Sequence, residues 1–147
     1  MKTRTVRVSS CFPASAETIW EKLQRVETLQ YIAAPFASFK SADGGSMVWK
    51  EGVTARFRLK IFGFLPMGVH TIKVVQFDKT TLSVYTNESN NSVPVWNHRI
   101  TLMRESTDLT HYSDEVEIYA EWKTPFVYLW SKAFYRHRQK KWLRLLK

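Results

Sequence analysis

His98 and Asp114 are the two residues of this chain that could work together as an acid–base pair. In the alternating run around residues 96–102, His98 shares one face with Ile100, and in the next run Asp114 shares a face with Val116. If these runs are adjacent antiparallel strands, the Cβ atoms of His98 and Asp114 lie about 5–8 Å apart and the side chains can hydrogen-bond. A buried carboxylate beside an imidazole orients the ring and raises its basicity, as a general base for enolisation or aldol cyclisation requires.

Three roles for this pair are open at this point. His98 and Asp114 can satisfy each other inside a partly polar core, as buried polar groups usually do, they can orient a bound ligand, or they can catalyse a reaction. His70 has the parity of Ile72 and Val74, so it also points toward the interior. Two imidazoles and a carboxylate have the composition of a non-haem iron site, but their spacing is ordinary. We therefore predict no metal site and no cofactor.

The elements that position these residues follow from periodicity. Residues 6–12 alternate, which predicts a strand with one buried face. Ser15 can cap a following helix, and a helical stretch at residues 29–34 either continues that helix or forms a second one. Residues 36–121 contain short alternating runs separated by turn signals, and a long helix is predicted from Thr124, capped by that residue.

The alternating region predicts an antiparallel meander. Its strands are expected at residues 53–61, 69–78, 82–89, 93–105 and 109–121, with a short strand at Val48 and Trp49 between turn candidates at 43–46 and 51–52. The order of elements predicts an α+β fold in a single domain, 1–147. It comprises a curved sheet of about seven strands, one or two short helices after the first strand, and a long C-terminal helix against the apolar face.

The composition favours a globular protein. Of the 147 residues, 44% are hydrophobic and 24% are charged, with 5 glycines and 5 prolines, which excludes a disordered or collagen-like chain. The single cysteine, Cys11, cannot form an internal disulfide. Because no apolar run approaches the ~20 residues of a membrane span and no export signal begins the sequence, we expect a cytoplasmic protein.

The net charge of +9 is concentrated at the end of the chain. Residues 123–147 carry +8 without an acidic residue, whereas residues 1–122 carry +1. Basic side chains near a helix C-terminus favour the helix dipole and a solvated face. Residues 132–147 could also attract an anionic membrane, and a nucleic acid is less favoured because no recognition motif is present. The apolar contacts for such a membrane would come from Trp142, Leu143, Leu145 and Leu146.

Five segments spread over the whole chain carry a family resemblance. They are residues 12–23 (FPASAETIWEKL), 52–72, 96–98, 112–118 and 134–139. Together with the order of elements, they resemble the helix-grip fold of the START and birch-pollen-allergen superfamily, which includes polyketide cyclases, coenzyme Q-binding proteins and lipid-transfer domains. The resemblance implies a cavity between sheet and helix that opens at one end and takes a mostly hydrophobic ligand.

The mouth and walls of this cavity can be assigned to residues. Alternate loops of a meander lie at the same end of the sheet, so loops near residues 62–68, 88–94 and 121–125 are predicted to frame the mouth. The first loop is unusually apolar and could pack under the last helix, gate the cavity or touch a membrane. The predicted walls are Phe57, Leu59, Ile72, Trp96, Ile118, Trp130 and Phe134. The predicted orienting groups are His70, His98, Tyr112 and Asp114.

Two further expectations concern the last helix and the function. A stripe with helical spacing predicts that Phe126, Trp130, Ala133, Phe134 and His137 face the core. The leading functional hypothesis is a carrier that encloses a lipid, isoprenoid or polyketide-like molecule. The alternatives are a cyclase or dehydrase that uses His98 and Asp114 as acid and base, and a peripheral partner of membranes or nucleic acids.

Overall fold

The computed structural model describes residues 2–42 and 49–147. Within these ranges it contains seven strands: β1 (Arg4–Phe12), β2 (Ala37–Ser41), β3 (Thr54–Ile61), β4 (Leu65–Asp78), β5 (Ser83–Ser89), β6 (Val95–Ser106) and β7 (Leu109–Tyr119). The helices are α1 (Ala16–Leu23), α2 (Val26–Ala33) and α3 (Thr124–Leu145), and a 3₁₀ turn (Glu121–Lys123) precedes α3. All strand pairs are antiparallel, and the sheet order is β1-β7-β6-β5-β4-β3-β2. The predicted α+β architecture is confirmed.

The two short helices are separate elements. Ser15 caps α1, since its Oγ accepts a hydrogen bond from the backbone N–H of Thr18 at 3.1 Å. Arg25 has an extended backbone conformation and divides α1 from α2. The second helix begins at Val26, three residues before the predicted start. The start was hard to predict because the apolar pattern is short and the N-cap residue makes no side-chain hydrogen bond.

The turn between β3 and β4 is tighter than predicted. Phe62 and Gly63 both have positive φ, 54° and 80°, so the chain reverses within three residues and β4 starts at Leu65. Gly68, with φ of 75°, lies where two residues of β4 oppose one residue of β3, which is a β-bulge. The predicted strand at Val48 and Trp49 is not found at Trp49, which lies outside any strand. Val48 and the turn candidate at 43–46 lie outside the described residues.

The face that α3 presents to the sheet differs from the predicted stripe. Phe126 is 67% exposed and Ala133 is also exposed, whereas Trp130 is half-buried. The prediction was wrong for Phe126 and Ala133 because it followed only apolar residues, and four inward positions of this helix are polar. The buried residues of α3 are Thr124, Ser131, Phe134, Tyr135, Arg138, Gln139 and Trp142.

The last turns of α3 do not offer an apolar surface to a membrane. Trp142 is fully buried, and Leu143, Leu145 and Leu146 are partly buried against the same cluster. The expectation that these four residues supply membrane contact is therefore corrected. Among the described residues, no helix combines the length and apolar character that crossing a bilayer requires.

The start of α3 also differs in detail from the prediction. Thr124 is the first residue of the helix rather than its cap, and Pro125 follows in the first turn, where its missing N–H is harmless. The Thr124 hydroxyl accepts a hydrogen bond from the N–H of Ala120 at 2.9 Å and donates one to the carbonyl of Glu121 at 2.7 Å. These bonds fix the angle at which α3 leaves β7.

Candidate functional site

A cavity of about 680 Å³ lies between the sheet and α3. This volume is in the range of sites that enclose small molecules. Most of the lining is apolar and comes from α2, β3, β4, β6 and α3. Seven of the residues singled out in the sequence line the cavity: Leu59, His70, Ile72, Trp96, His98, Trp130 and Phe134.

Four other candidates do not line the cavity. Phe57 packs in a small cluster with Ala55 and Ile72, and Ile118 is buried in the core beneath α3. Tyr112 stacks between Phe12 and Trp142, at centroid distances of 4.8 and 5.6 Å. Asp114 lies behind His98. Strand parity places all four on the inner face correctly, but it does not show where helices cover that face and where they leave it open.

All three loops named in the sequence contribute residues to the lining of the cavity. The first contributes Phe62 together with Leu65, the second contributes Asn90 and Val93, and the third contributes Trp122. The second helix α2 adds further lining residues that the sequence analysis did not anticipate: the polar Thr28 and the apolar Leu29 and Ile32.

His98 and Asp114 form a direct hydrogen bond inside the protein. His98 is paired with Val116 across β6 and β7, so Asp114 is one pair away, and the His98 Nε2 to Asp114 Oδ1 distance is 2.6 Å. Asp114 is 1% exposed, and its Oδ2 accepts a hydrogen bond from Nε2 of Gln139 at 3.0 Å. The same amide nitrogen donates to the carbonyl of Val8 at 2.8 Å. Both carboxylate oxygens of Asp114 are therefore occupied, and the imidazole is held at the cavity wall.

Glu88 is a site residue that the sequence analysis missed. Its Oε1 lies 2.7 Å from Nε2 of His70, and its Oε2 accepts a hydrogen bond from the Thr86 hydroxyl at 2.6 Å. Burial alone would raise the pKa of Glu88, but hydrogen bonding to His70 and the nearby His98 lower it below the ordinary value. The available signal was parity, because Val84, Thr86 and Glu88 alternate along β5. The sequence instead places Glu88 at the end of the strand predicted at 82–89, where the loop near 88–94 is predicted to begin.

The orientation of Asn90 identifies the tautomer of His70. Oδ1 of Asn90 accepts hydrogen bonds from the backbone N–H groups of Ser92 and Val93, at 2.9 and 2.8 Å. Its Nδ2 therefore faces Nδ1 of His70, 3.0 Å away, and donates to it. Since Nδ1 is the acceptor, the neutral ring carries its proton on Nε2 and donates it to Glu88. His70 is thus held at both nitrogens, whereas Nδ1 of His98 lies 4.0 Å from Oε2 of Glu88, beyond hydrogen-bond distance.

Arg138 is the second residue that sequence reasoning missed. It is 4% exposed, lines the cavity and packs its guanidinium carbon 5.0 Å from the ring centroid of Tyr135. Burial lowers the pKa of Arg138, but the negative charge of Asp114, with smaller contributions from the tyrosines and Glu88, raises it above the ordinary value. The side chain is therefore charged. Its helical spacing of four from both Phe134 and Trp142 was the signal for an inward position.

The chemistry available at this site is that of an apolar enclosure with one polar wall. Burial raises the pKa of both Tyr112 and Tyr135, so both remain neutral hydroxyls. The polar wall consists of His70, Glu88, His98 and Arg138, with Asp114 behind it. In the part of the chain that the structure describes, no group of three or more histidine, cysteine, aspartate or glutamate residues is arranged to hold a metal ion.

Several solved structures share this architecture at low sequence identity. A START superfamily protein from Mycobacterium smegmatis is 15% identical, with 97% of this chain and 96% of that chain covered and a TM-score of 0.71. An aromatase/cyclase from Streptomyces sp. R1128 is 12% identical, with 99% and 92% covered and a TM-score of 0.71. A truncated norcoclaurine synthase from Thalictrum flavum is 14% identical, with 86% and 81% covered and a TM-score of 0.62. These similarities show the fold.

The fold and the sequence together place the chain in a family. The architecture is the helix-grip fold of the START and birch-pollen-allergen superfamily, as the resemblance in the sequence predicted. No curated protein matches the sequence. A family model does match, over residues 10–146, and its description is "Domain of unknown function (DUF8410)". The chain belongs to the family DUF8410.

Proposed function

We propose that this protein binds and carries a small apolar or amphipathic molecule in the cavity between the sheet and α3. The observation that carries the proposal is the 680 Å³ cavity, whose lining is apolar except for one polar wall. Enclosing a carbon skeleton there contributes roughly 25 cal/mol per Å² of apolar surface removed from water. The polar wall then fixes the orientation of the ligand, as in most small-molecule sites.

The neutral fluorescent probe N-phenyl-1-naphthylamine tests this function. We expect saturable binding with a stoichiometry of one, detected as enhanced emission, because the probe can be enclosed by the apolar lining. Leu59→Trp narrows the cavity and should lower the affinity for the probe by about tenfold, which corresponds to a loss of ~1.4 kcal/mol of binding free energy. Arg58→Trp, on the exposed outer face of the same strand, is the matched control and should bind like the wild type.

Two results would count against the carrier function. One is an emission change that does not saturate, and the other is equal probe affinity in the Leu59→Trp and Arg58→Trp variants. Native mass spectrometry of the purified protein complements the probe, since mass lost on denaturation identifies the class of a co-purified ligand.

A cyclase or dehydrase activity is the second candidate function, and it rests on the His98–Asp114 pair. His98 lines the cavity while Asp114 holds Nε2, which leaves Nδ1 of His98 without a hydrogen bond from the described residues. This arrangement suits a general base, and one protein of the same fold is an aromatase/cyclase. A substrate whose turnover disappears in His98→Ala, while its binding persists, would establish this activity.

The mouth of the cavity is also suited to an anionic membrane surface, where a carrier could exchange its ligand. Six exposed apolar side chains lie in two segments that contribute to the cavity lining, and we call them the rim: Phe62, Phe64, Leu65, Trp122, Phe126 and Leu129. The two segments that carry the rim, residues 54–72 and 122–134, contain no acidic residue. Lys60, Lys123 and Lys132 lie within them and add positive charge. Apolar insertion together with charge attraction is how peripheral proteins hold anionic bilayers.

Vesicle sedimentation measures this membrane attachment. We expect the protein to sediment with phosphatidylglycerol-rich vesicles at low salt and to be partly released at high salt, because part of the attraction is electrostatic. Trp122→Ala combined with Phe126→Ala should weaken vesicle binding by about tenfold or more, since each aromatic ring buries apolar surface worth ~1.5–3 kcal/mol. Met103→Ala combined with Leu109→Ala removes exposed apolar surface away from the rim and serves as the control. Equal sedimentation of the two double variants would contradict the role of the rim.

A further inference from the structure

We propose that Arg138 is the docking group for an acidic end of the ligand, so that the molecule carried here is an apolar chain or ring system bearing a carboxylate. The proposal rests on the carrier function above and specifies the class of ligand. The periodicity of the sequence does not require a charged residue at position 138. The His98–Asp114 pair does not require one either.

Arg138 has unused hydrogen-bonding capacity. Its Nε is buried with no acceptor, and among residues 2–42 and 49–147 no carbonyl, hydroxyl or carboxylate accepts a hydrogen bond from this guanidinium. A guanidinium has five N–H donors and is always charged. A buried donor without an acceptor is unfavourable, and more so when it is charged. An acceptor supplied by a ligand would remove that cost.

The acidic side chains near Arg138 already accept hydrogen bonds from other residues. Oδ1 and Oδ2 of Asp114 accept from His98 and Gln139, and the two oxygens of Glu88 accept from His70 and Thr86. These carboxylates stabilise the positive charge of Arg138 through space without satisfying its donors. The guanidinium is therefore kept charged and left available to the cavity that it lines.

The geometry of the guanidinium and the charges around it favour one kind of acceptor. A carboxylate matches the planar fork of an arginine with two parallel hydrogen bonds, which an alcohol or an ester oxygen cannot provide. Two negative side chains, Asp114 and Glu88, already lie close to the site. A group with a single negative charge therefore fits better than a dianionic phosphate monoester.

The position of Arg138 along α3 gives the direction of the ligand. Arg138 follows Thr124 by fourteen residues, which corresponds to about 21 Å of helix at 1.5 Å per residue. Trp122 and Phe126, at the start of α3, belong to the rim. The acid group would thus lie at the inner end of the cavity, and the apolar part of the ligand would extend toward the mouth.

Competition against N-phenyl-1-naphthylamine tests the inference with three twelve-carbon compounds at neutral pH: dodecanoic acid, dodecan-1-ol and dodecyl phosphate. In the wild type we expect the acid to displace the probe at a concentration about tenfold or more below that of the alcohol, with the phosphate weaker than the acid. In Arg138→Met the preference for acid over alcohol should fall to about twofold or less, with both competitors scored against the probe affinity measured for that variant. Arg136→Met, an exposed arginine on the same helix, is the matched control and should keep the preference.

The outcomes separate this inference from the carrier function. If the neutral probe does not bind the wild type, the carrier function fails and the inference fails with it. If the probe binds but acid and alcohol compete equally, or the phosphate competes best, the carrier function stands and the carboxylate assignment is overturned. Should Arg138→Met fail to fold, Arg138→Lys keeps a charge but loses the fork geometry, and an unchanged preference for acid in that variant would overturn the paired hydrogen bonds.

Discussion

Replacing Trp142 with alanine is expected to lower the free energy of unfolding by about 3–5 kcal/mol, the range measured for deleting a buried tryptophan or phenylalanine side chain. Trp142 is fully buried, and its ring lies 5.9 Å from that of Phe12 and 5.6 Å from that of Tyr112. It therefore holds the last turns of α3 against β1 and β7. Urea denaturation followed by circular dichroism measures the change.

Trp122→Ala provides the matched control for this experiment. Trp122 lies at the other end of the same helical region and is 76% exposed, so its removal should change the free energy of unfolding by less than about 0.5 kcal/mol. In vesicle sedimentation, Trp122→Ala should weaken binding to the vesicles. Trp142→Ala should not, because only Trp122 belongs to the rim. A loss of less than about 1 kcal/mol in Trp142→Ala would show that α3 does not depend on this anchor.

Asp114→Asn is expected to cost about 3–5 kcal/mol of unfolding free energy, although the side chain keeps its size. The substitution removes the negative charge that contributes most to the stabilisation of buried Arg138. It also replaces one acceptor of Asp114 by a donor, so either His98 or Gln139 loses its partner. The measurement is again urea denaturation, at a pH near 7.

The control for this second substitution is Asp108→Asn, in the exposed turn between β6 and β7. Surface changes of this kind usually alter stability by less than about 0.5 kcal/mol. If both aspartate variants unfold at the same urea concentration, the charge of Asp114 does not stabilise the fold, and Asp114 does not offset the buried charge of Arg138.

Most of the fold could be predicted because most of its elements carry their own periodicity; β2 (Ala37–Ser41) is an exception, since no strand is predicted there from the sequence. The alternation in β3 and β7 and the capping serine of α1 depend on neighbours in sequence, and the structure places these elements within a few residues of the predicted ranges. The start of β4 could not be located in the same way, because the turn at Phe62 and Gly63 depends on a pair of positive φ angles in a segment that is apolar on both sides.

The site was only partly predictable because it depends on polar residues in inward positions. Glu88 and Arg138 are of residue types that usually lie on a solvated surface. In the sequence, Glu88 falls at the start of the predicted loop near 88–94, and Arg138 falls in the basic helical segment 132–147. Their burial is possible only because each has a specific partner: Glu88 is hydrogen-bonded to His70, and Arg138 lies near the negative charge of Asp114. Such a partner lies far away in sequence, so no local pattern reveals it.

Gln139 links three elements with one side chain, and this sets a limit on how the protein can open. Its amide donates to Val8 of β1 and to Asp114 of β7, and its Oε1 accepts from the Ser10 hydroxyl at 2.5 Å. Moving α3 away from the sheet would break all three bonds, of which the one to Asp114 is fully buried. The long helix is therefore expected to stay in place against the sheet, and under the proposed carrier function the loops at the opposite end are the part that moves when a ligand enters or leaves.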